Sequence, residues 1–173
     1  MKTHRLFFAL WPSPQVRSNI EKAVHPVLHD LHGRITPIHD LHMTLHYVGS
    51  STDEMRDCLH EAATSIKFTP FQLSLDHFGY FKKARVMWMG VNAIPAELDC
   101  LQKDLGDALS GCEFHGDKRP YTPHVSLVKK CTDPVQLYEG GAVVWTVEDF
   151  VLVESVPCDR GVTYQVLERY MMV

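Results

Sequence analysis

Two short stretches of the chain carry the same arrangement of side chains that could take part in chemistry. In "HMTLHYV" (42–48) and "HVSLVKK" (124–130), a histidine stands two residues before a threonine or serine, and a leucine follows the hydroxyl residue. Composition alone predicts only roughly 0.05 such stretches in the chain. We therefore interpret the pair as a functional feature and not as a coincidence.

On a β-strand, the two polar side chains of each stretch would point to the same side. Residues i and i+2 of a strand share one face and lie about 6.5 to 7 Å apart. His42 would then project with Thr44, and His124 with Ser126. The apolar residues that alternate with them are expected to face the core: Met43, Leu45, Val125 and Leu127. If the two strands come from related lobes, two imidazoles and two hydroxyls converge on one cleft.

Such a cleft suits a phosphodiester. In-line displacement at phosphorus needs a base on one side, an acid for the leaving oxygen on the other, and donors for the equatorial oxygens. Two opposed histidines could act as base and acid, because an unperturbed imidazole pKa of about 6.5 lets one ring be neutral while the other is protonated. Acid-base help of about 10² to 10⁴-fold would be enough to open a strained 2',3'-cyclic phosphate without a metal.

The elements that would position these residues occur twice. Units at about 3–80 and 84–156 each follow the order strand, helix, histidine strand, helix, strand, and a closing strand is expected at about 162–170. No linker rich in Gly, Pro or Ser separates the units. The pattern predicts one α+β domain, 1–173, with two pseudo-symmetric lobes, each a mostly antiparallel sheet with helices on its outer face, and a cleft between the lobes.

Local signals place the individual elements. Helical spacing and capping residues predict three helices, at about 14–31, 51–66 and 95–109. Thr132 and Asp133 repeat the capping pair Thr52 and Asp53 and predict a further helix. Single strands are predicted over "FQLSLDHFGYF" (71–81) and "AVVWTVEDFVLVES" (142–155).

The bulk composition excludes several classes of protein. The longest apolar runs, such as "LFFALW" (6–11), are too short to span a bilayer, and the start of the chain lacks signal-peptide features, so we expect a cytoplasmic protein without a membrane partner. A net charge of -4 argues against a nonspecific nucleic-acid coat. The cysteines include no C-x-x-C pair, which predicts reduced, mostly buried thiols: Cys58, Cys100, Cys112, Cys131 and Cys158.

The remaining histidines raise the question of a metal. Two groups are close in sequence: His25, His29 and His32 on one predicted helix, and His39, His42 and His46. No H-E-x-x-H or aspartate-rich motif accompanies them, so we predict neither a catalytic metal nor a cofactor. The three histidines on the helix are expected to face solvent. His46 would share the face of His42 and Thr44 if the strand extends that far.

The motif pair, together with "RLFFAL" and "RPYTPHVSL", resembles the 2H phosphoesterase superfamily, and within it the bacterial RNA 2',3'-cyclic phosphodiesterases, also called 2'-5' RNA ligases. The resemblance covers nearly the whole chain. It implies a bilobal α+β fold, metal-independent hydrolysis of terminal 2',3'-cyclic phosphates to 2'-phosphates, and a reversible 2'-5' ligation of tRNA halves in vitro. By position, His42 would be the acid for the 3'-oxygen and His124 the base for water.

The chain departs from the pattern of that family at two positions. Ser126 stands where threonine is common, which keeps the hydroxyl but loses the methyl group that stiffens χ1. Lys129 stands where many members have arginine, and a lysine cannot form a bidentate fork to phosphate. Beside the motifs, Lys129 and Arg119 are candidates for binding an RNA end, and Phe8 and Tyr121 for stacking on a base, although solvated charges and core aromatic residues are the common alternatives.

Three functional hypotheses follow from the same cleft. The first is a cyclic phosphodiesterase that acts as a monomer on RNA or nucleotides with a 2',3'-cyclic phosphate end, tRNA halves among them. The second is a noncatalytic module that binds nucleotides or RNA ends. The third is a ligase that joins 2'-5' linkages, which the same two histidines would serve by microscopic reversibility.

Overall fold

Ten strands, three α-helices and two short 3-10 helices (Ile38–Asp40 and Ser110–Cys112) make up the regular structure of the residues that this computed structural model describes, 2–28, 30–132, 141–171 and 173. In chain order the strands and α-helices are β1 (His4–Leu10), α1 (Pro14–Leu28), β2 (Arg34–Ile35), β3 (Met43–Ser51), α2 (Asp53–Thr64), β4 (Phe71–Leu75), β5 (His77–Phe81), β6 (Val86–Gly90), α3 (Ala96–Leu109), β7 (His124–Lys129), β8 (Val143–Val147), β9 (Asp149–Cys158) and β10 (Gly161–Met171).

The strands form one large antiparallel sheet and one small one. The large sheet has the order β10-β9-β1-β3-β7-β6-β5, with β2 also paired to β7, and β4 pairs with β8 in the small sheet. Two groups of strands, β10-β9-β1-β3 and β7-β6-β5, meet where Met43 of β3 is aligned with Val125 of β7. The predicted α+β fold with two lobes of antiparallel sheet is confirmed, and the two histidine motifs lie at the junction of the lobes.

The chain crosses between the lobes at two acidic residues. Each of the two long predicted strands, 71–81 and 142–155, is broken, the first at Asp76 and the second at Glu148. After the breaks, β5 pairs with β6 and β9 pairs with β1, so each half of the chain adds a strand to the sheet of the other half. The prediction of single strands was wrong because alternation does not reveal a change of partner. The repeat boundaries at about 3–80 and 84–156 stay a prediction.

The helices cover one face of the large sheet. Apolar residues of all three helices share one core with the inward residues of the strands, which include Met43, Leu45, Val125 and Leu127. Those four residues are buried as predicted. The other face is left for a small cluster around Phe7 and Val151 and for the polar motif residues. Among the described residues, no helix is both long enough and apolar enough to cross a membrane.

The helix signals in the sequence predicted the three helices α1, α2 and α3 at nearly their observed positions. Thr52 caps α2 by accepting a hydrogen bond from the Met55 backbone N–H at 3.2 Å, as its position predicted. Of the trio expected to face solvent, His25 and His32 are exposed, and His29 lies outside the described residues. The helix predicted after Thr132 falls on 133–140, which also lie outside them.

The cysteines do not form the predicted set of reduced, mostly buried thiols. Cys58 of α2 and Cys112, just after α3, form a disulfide with a Cα–Cα distance of 5.8 Å. Cys100 and Cys158 are exposed, and Cys131 is buried. The prediction was wrong because the pairing depends on the packing of two helices that are distant in sequence, which no local cysteine motif indicates.

Replacement of Cys58 by serine should lower the stability of the oxidised protein. The two cysteines are 54 residues apart, and a link over such a loop typically contributes about 2 to 4 kcal/mol by constraining the unfolded chain. Thermal unfolding without reductant should show a midpoint several degrees lower for Cys58→Ser, whereas the exposed control Cys100→Ser should match the wild type. A wild-type midpoint that does not change with a strong reductant would contradict the link.

Candidate active site

The two motifs lie side by side on the open face of the large sheet. Met43 and Val125 are aligned across β3 and β7, and continuing this antiparallel register by one residue puts His42 opposite Ser126 and Thr44 opposite His124. Side chains that are directly opposite have Cβ atoms about 4.5 to 5.5 Å apart. The structure therefore brings together the four polar residues that the sequence singled out, and all four are half-buried.

Both imidazoles are held in the same way. His42 Nδ1 donates to the Asp40 backbone carbonyl, and His124 Nδ1 donates to the Thr122 carbonyl, each at 2.7 Å. A carbonyl oxygen can only accept, so Nδ1 carries the proton in each neutral ring and Nε2 keeps its lone pair. Each ring thus presents Nε2 as the nitrogen that can take up or release a proton.

Aromatic side chains pack around each histidine. The His42 ring is stacked on Trp11, with ring centroids 5.6 Å apart and planes at 16°, and it also contacts Phe7 at 4.9 Å. The His124 ring is perpendicular to the Phe81 ring, with centroids 4.9 Å apart, and is tilted against the Trp88 ring, with centroids 5.8 Å apart. This packing fixes the rings and removes much of their surface from water.

Burial lowers the pKa of both histidines. For His42 the pKa falls to about 4, first because of burial and then because of the charges of Lys129, His124 and Arg17, while the hydrogen bond to the Asp40 carbonyl opposes the shift. For His124, burial lowers the pKa and the hydrogen bond to Thr122 opposes it. Both rings are therefore neutral at pH 7 in the free protein, and an anion placed beside them would favour their protonated forms.

A cavity of about 220 Å³ opens beside His42. Its walls come from both lobes and from the closing strand: Phe7, Thr36, Asp40, His42, Thr44, Tyr47, Ser126, Lys129, Ser155 and Tyr164. Three of the four motif residues line it. His124 is not part of the lining, and its ring lies against the aromatic wall of the second lobe. The volume is sufficient for a phosphate group and part of a sugar.

The other predicted binding residues are placed differently. Lys129 lines the cavity, and its Nζ donates to the Tyr164 hydroxyl at 3.4 Å. Tyr121 is half-buried and donates to the Thr44 backbone carbonyl at 3.0 Å, so it holds the motif strand and does not line the cavity. Arg119 is exposed and ion-paired with Asp117.

A β-bulge overturns a further prediction, the face of His46. Between β1 and β3 the register shifts, with Phe8 opposite His46 and Ala9 opposite Thr44, so that Leu45 is an extra residue. Beyond Leu45, the β3 residues that would have faced the open side of the sheet face the core, and those that would have faced the core face the open side. His46 is buried towards α3 and donates from Nε2 to the Gln102 carbonyl at 2.7 Å, so the prediction that it shares the face of His42 was wrong.

Phe8 was a candidate for stacking on a base, and this prediction was also wrong. Its side chain is fully buried and packs against Phe150 and Tyr170 in the core. The neighbouring Phe7 lines the cavity in its place, together with Tyr47. β1 is apolar from Leu6 to Leu10, so its sequence shows no alternation of polar and apolar residues that could indicate which of Phe7 and Phe8 faces the core.

Several cavity residues had no signal in the sequence. Asp40 and Thr36 lie before the first motif, and Ser155 and Tyr164 lie opposite each other on β9 and β10, far from either motif in the chain. The Thr36 hydroxyl is buried and forms no hydrogen bond with any described residue. Among the described residues, no cluster of three or more histidine, cysteine, aspartate or glutamate side chains could hold a metal ion.

The pKa of His42 provides a direct test of this geometry. In a proton NMR titration of the wild-type protein, the His42 ring should titrate near pH 4. Because the positive charge of Lys129 disfavours protonation of the ring, Lys129→Met should raise this pKa, whereas the exposed neighbour Lys130→Met should change it little. A wild-type value close to 6.5 would contradict the described burial and charges.

Comparison with known proteins gives consistent matches over nearly the whole chain. A family model described as the 2'-5' RNA ligase superfamily matches residues 12–156. The RNA 2',3'-cyclic phosphodiesterase of Escherichia coli strain K12 is 30% identical over 97% of this chain and 96% of that protein. The protein of the same name from Archaeoglobus fulgidus is 28% identical over 96% of this chain and 99% of its own length.

Solved structures agree with these matches. The crystal structure of Escherichia coli LigT complexed with 3'-AMP has a TM-score of 0.90 and 26% sequence identity, and the match covers 99% of both chains. A crystal structure of TT0787 of Thermus thermophilus has a TM-score of 0.83 at 26% identity, with 97% of both chains covered.

Proposed function

The chain belongs to the 2'-5' RNA ligase superfamily, and from this premise we propose that it hydrolyses the 2',3'-cyclic phosphate of an RNA end or a nucleotide to a 2'-phosphate without a metal. As an enzyme it falls in the class of its relatives, the RNA 2',3'-cyclic phosphodiesterases. One observation carries the proposal. Two imidazoles come from neighbouring strands, each with Nδ1 bonded to the carbonyl two residues earlier and Nε2 available.

The reaction needs one proton removed and one proton supplied. His124 Nε2 takes a proton from water as the water oxygen attacks phosphorus. The bond between phosphorus and the 3'-oxygen breaks, and protonated His42 gives its Nε2 proton to that oxygen. The product carries a 2'-phosphate and a free 3'-hydroxyl. We adopt these roles from the family, and the lowered pKa of His124 supports its use as a base at neutral pH.

The other motif residues bind the phosphate. The hydroxyls of Thr44 and Ser126 would donate to the equatorial oxygens, whose negative charge grows in the transition state. Lys129 lies in the same cavity and would offset that charge. The phosphate anion in turn raises the proton affinity of His42, so this residue can be protonated in the complex although its pKa is about 4 in the free protein.

The same arrangement permits ligation. A 5'-hydroxyl in the position of the attacking water would form a 2'-5' linkage, with His124 as base and His42 as acid. By microscopic reversibility the same two histidines would serve the reverse cleavage with their roles exchanged, His42 as base and His124 as acid. Ends of cleaved RNA, such as tRNA halves, would supply both groups. We expect the enzyme to act as a monomer, because both histidines come from one chain.

The two histidines should each be essential. With 2',3'-cyclic AMP in excess EDTA, we expect turnover by the wild type, formation of 2'-AMP, and a loss of about 10² to 10⁴-fold in kcat for His42→Ala and for His124→Ala. The exposed His115→Ala is the matched control and should keep full activity.

Other outcomes would separate the alternatives. Loss of activity in EDTA that a divalent ion restores would refute the metal-free reaction. Formation of 3'-AMP would assign the leaving group to the 2'-oxygen instead. Retained affinity for many cyclic phosphates without turnover of any of them would support a noncatalytic binding module.

The rate should be highest on the acidic side of neutrality. The reaction needs one neutral and one protonated ring, and the pKa values of the free protein are about 4 for His42 and below 6.5 for His124. Below both values no ring can act as base, and above both no ring can act as acid, so kcat/KM against pH should be bell-shaped with its maximum between about 4 and 6.5. A plateau that extends to pH 8 would contradict this assignment.

A further inference from the structure

Tyr164 contacts both His42 and Lys129 although it lies outside both motifs. Its ring meets the edge of the His42 ring, with centroids 5.1 Å apart and planes at 78°, and its hydroxyl lies 3.4 Å from Lys129 Nζ. Its side chain lines the same cavity as these two residues. The residue thus lies where a phosphate bound between His42 and Lys129 would be in reach.

The direction of the hydrogen bond leaves one donor unused. A lysine ammonium group has three donors and no acceptor, so the Tyr164 oxygen accepts from Lys129. The phenolic proton of Tyr164 forms no hydrogen bond with any other residue that the structure describes. It remains free to donate to an acceptor in the cavity.

The strand pairing holds Tyr164 in this position. Tyr164 is aligned with Ser155 on β9, which also lines the cavity, and β9 is paired with β1 beneath the site. The ring also packs edge-on against Phe7 at 5.3 Å. A donor held this firmly loses little conformational entropy when it binds a ligand.

We propose that the Tyr164 hydroxyl, oriented by Lys129, binds the substrate phosphate, so that lysine and tyrosine together supply two donors to one anion. The proposal rests on the proposed function, because it assumes that the cavity takes the phosphate. A guanidinium presents two parallel donors from one side chain, whereas a lysine presents a point charge. Here Tyr164 supplies the second donor that Lys129 alone lacks.

The test measures binding of inorganic phosphate and turnover of 2',3'-cyclic AMP. Tyr164→Phe keeps the ring that packs on His42 and removes only the hydroxyl. We expect it to weaken phosphate binding about 10-fold or more, measured by the shift of the His42 ring proton in NMR. We also expect it to lower kcat/KM by a similar factor. Tyr170→Phe is the matched control, since it also removes a tyrosine hydroxyl from β10. That hydroxyl is hydrogen-bonded to His60 and belongs to a buried residue outside the cavity.

A double variant tests the sharing of the two donors. An arginine at position 129 brings its own second donor, so Lys129→Arg in the Tyr164→Phe background should recover part of the lost phosphate affinity. A double variant that binds phosphate no better than Tyr164→Phe would overturn the shared role with Lys129. Unchanged phosphate affinity and unchanged kcat/KM in Tyr164→Phe would overturn the proposal as a whole.

The two readouts separate this proposal from the proposed function. If the wild-type protein turns over 2',3'-cyclic AMP and Tyr164→Phe matches it in both measurements, only the role of Tyr164 is refuted and the proposed function stands. A wild-type protein without turnover, whose phosphate affinity falls in Tyr164→Phe, would refute the phosphodiesterase and support the phosphate site. A wild-type protein that binds no phosphate would overturn the role of Tyr164.

Discussion

The site depends on the contact between β3 and β7, where the two lobes meet. Met43 and Val125 are aligned there, and both are completely buried beneath the sheet. Because successive strand residues face opposite sides, burial of these two forces their neighbours to the open face. A shift by one residue would move every motif side chain into the core and expose the apolar ones. The hydrophobic core therefore fixes the face and the spacing of the two histidines.

Backbone carbonyls and aromatic packing then orient the imidazoles. A hydrogen bond from Nδ1 to the carbonyl two residues earlier fixes the tautomer of both rings. His42 immediately precedes β3 and His124 is the first residue of β7, so both accepting carbonyls lie outside the strands. The packing also excludes water, which lowers both pKa values. The site thus combines two neutral bases with hydroxyl donors and a cation, an arrangement that favours an anion over a neutral ligand.

Local sequence signals predicted the features that depend on interactions between residues close together in the chain. The motif strands, the capped start of α2 and the buried Met43 and Val125 follow from alternation and capping, which act over a few residues. The face of Phe8 could not be predicted because β1 is apolar from Leu6 to Leu10 and shows no polar alternation. The face of His46 could not be predicted because the bulge at Leu45 depends on the pairing of β1 with β3. The same reason applies to the strand exchange at Asp76, since it depends on partners that are far away in the chain.

The twin motifs do not have twin surroundings, and this difference gives a physical basis for separate roles. Lys129 and Arg17 both lower the pKa of His42, and Arg17 lies over Trp11, the ring on which His42 is stacked, at 5.1 Å. No described cation acts on the pKa of His124 in this way. An anion would therefore be drawn to the side of His42, where it compensates the cations. His42 then regains proton affinity when the substrate is bound, which is when an acid is needed for the leaving oxygen, while His124 stays neutral to activate water.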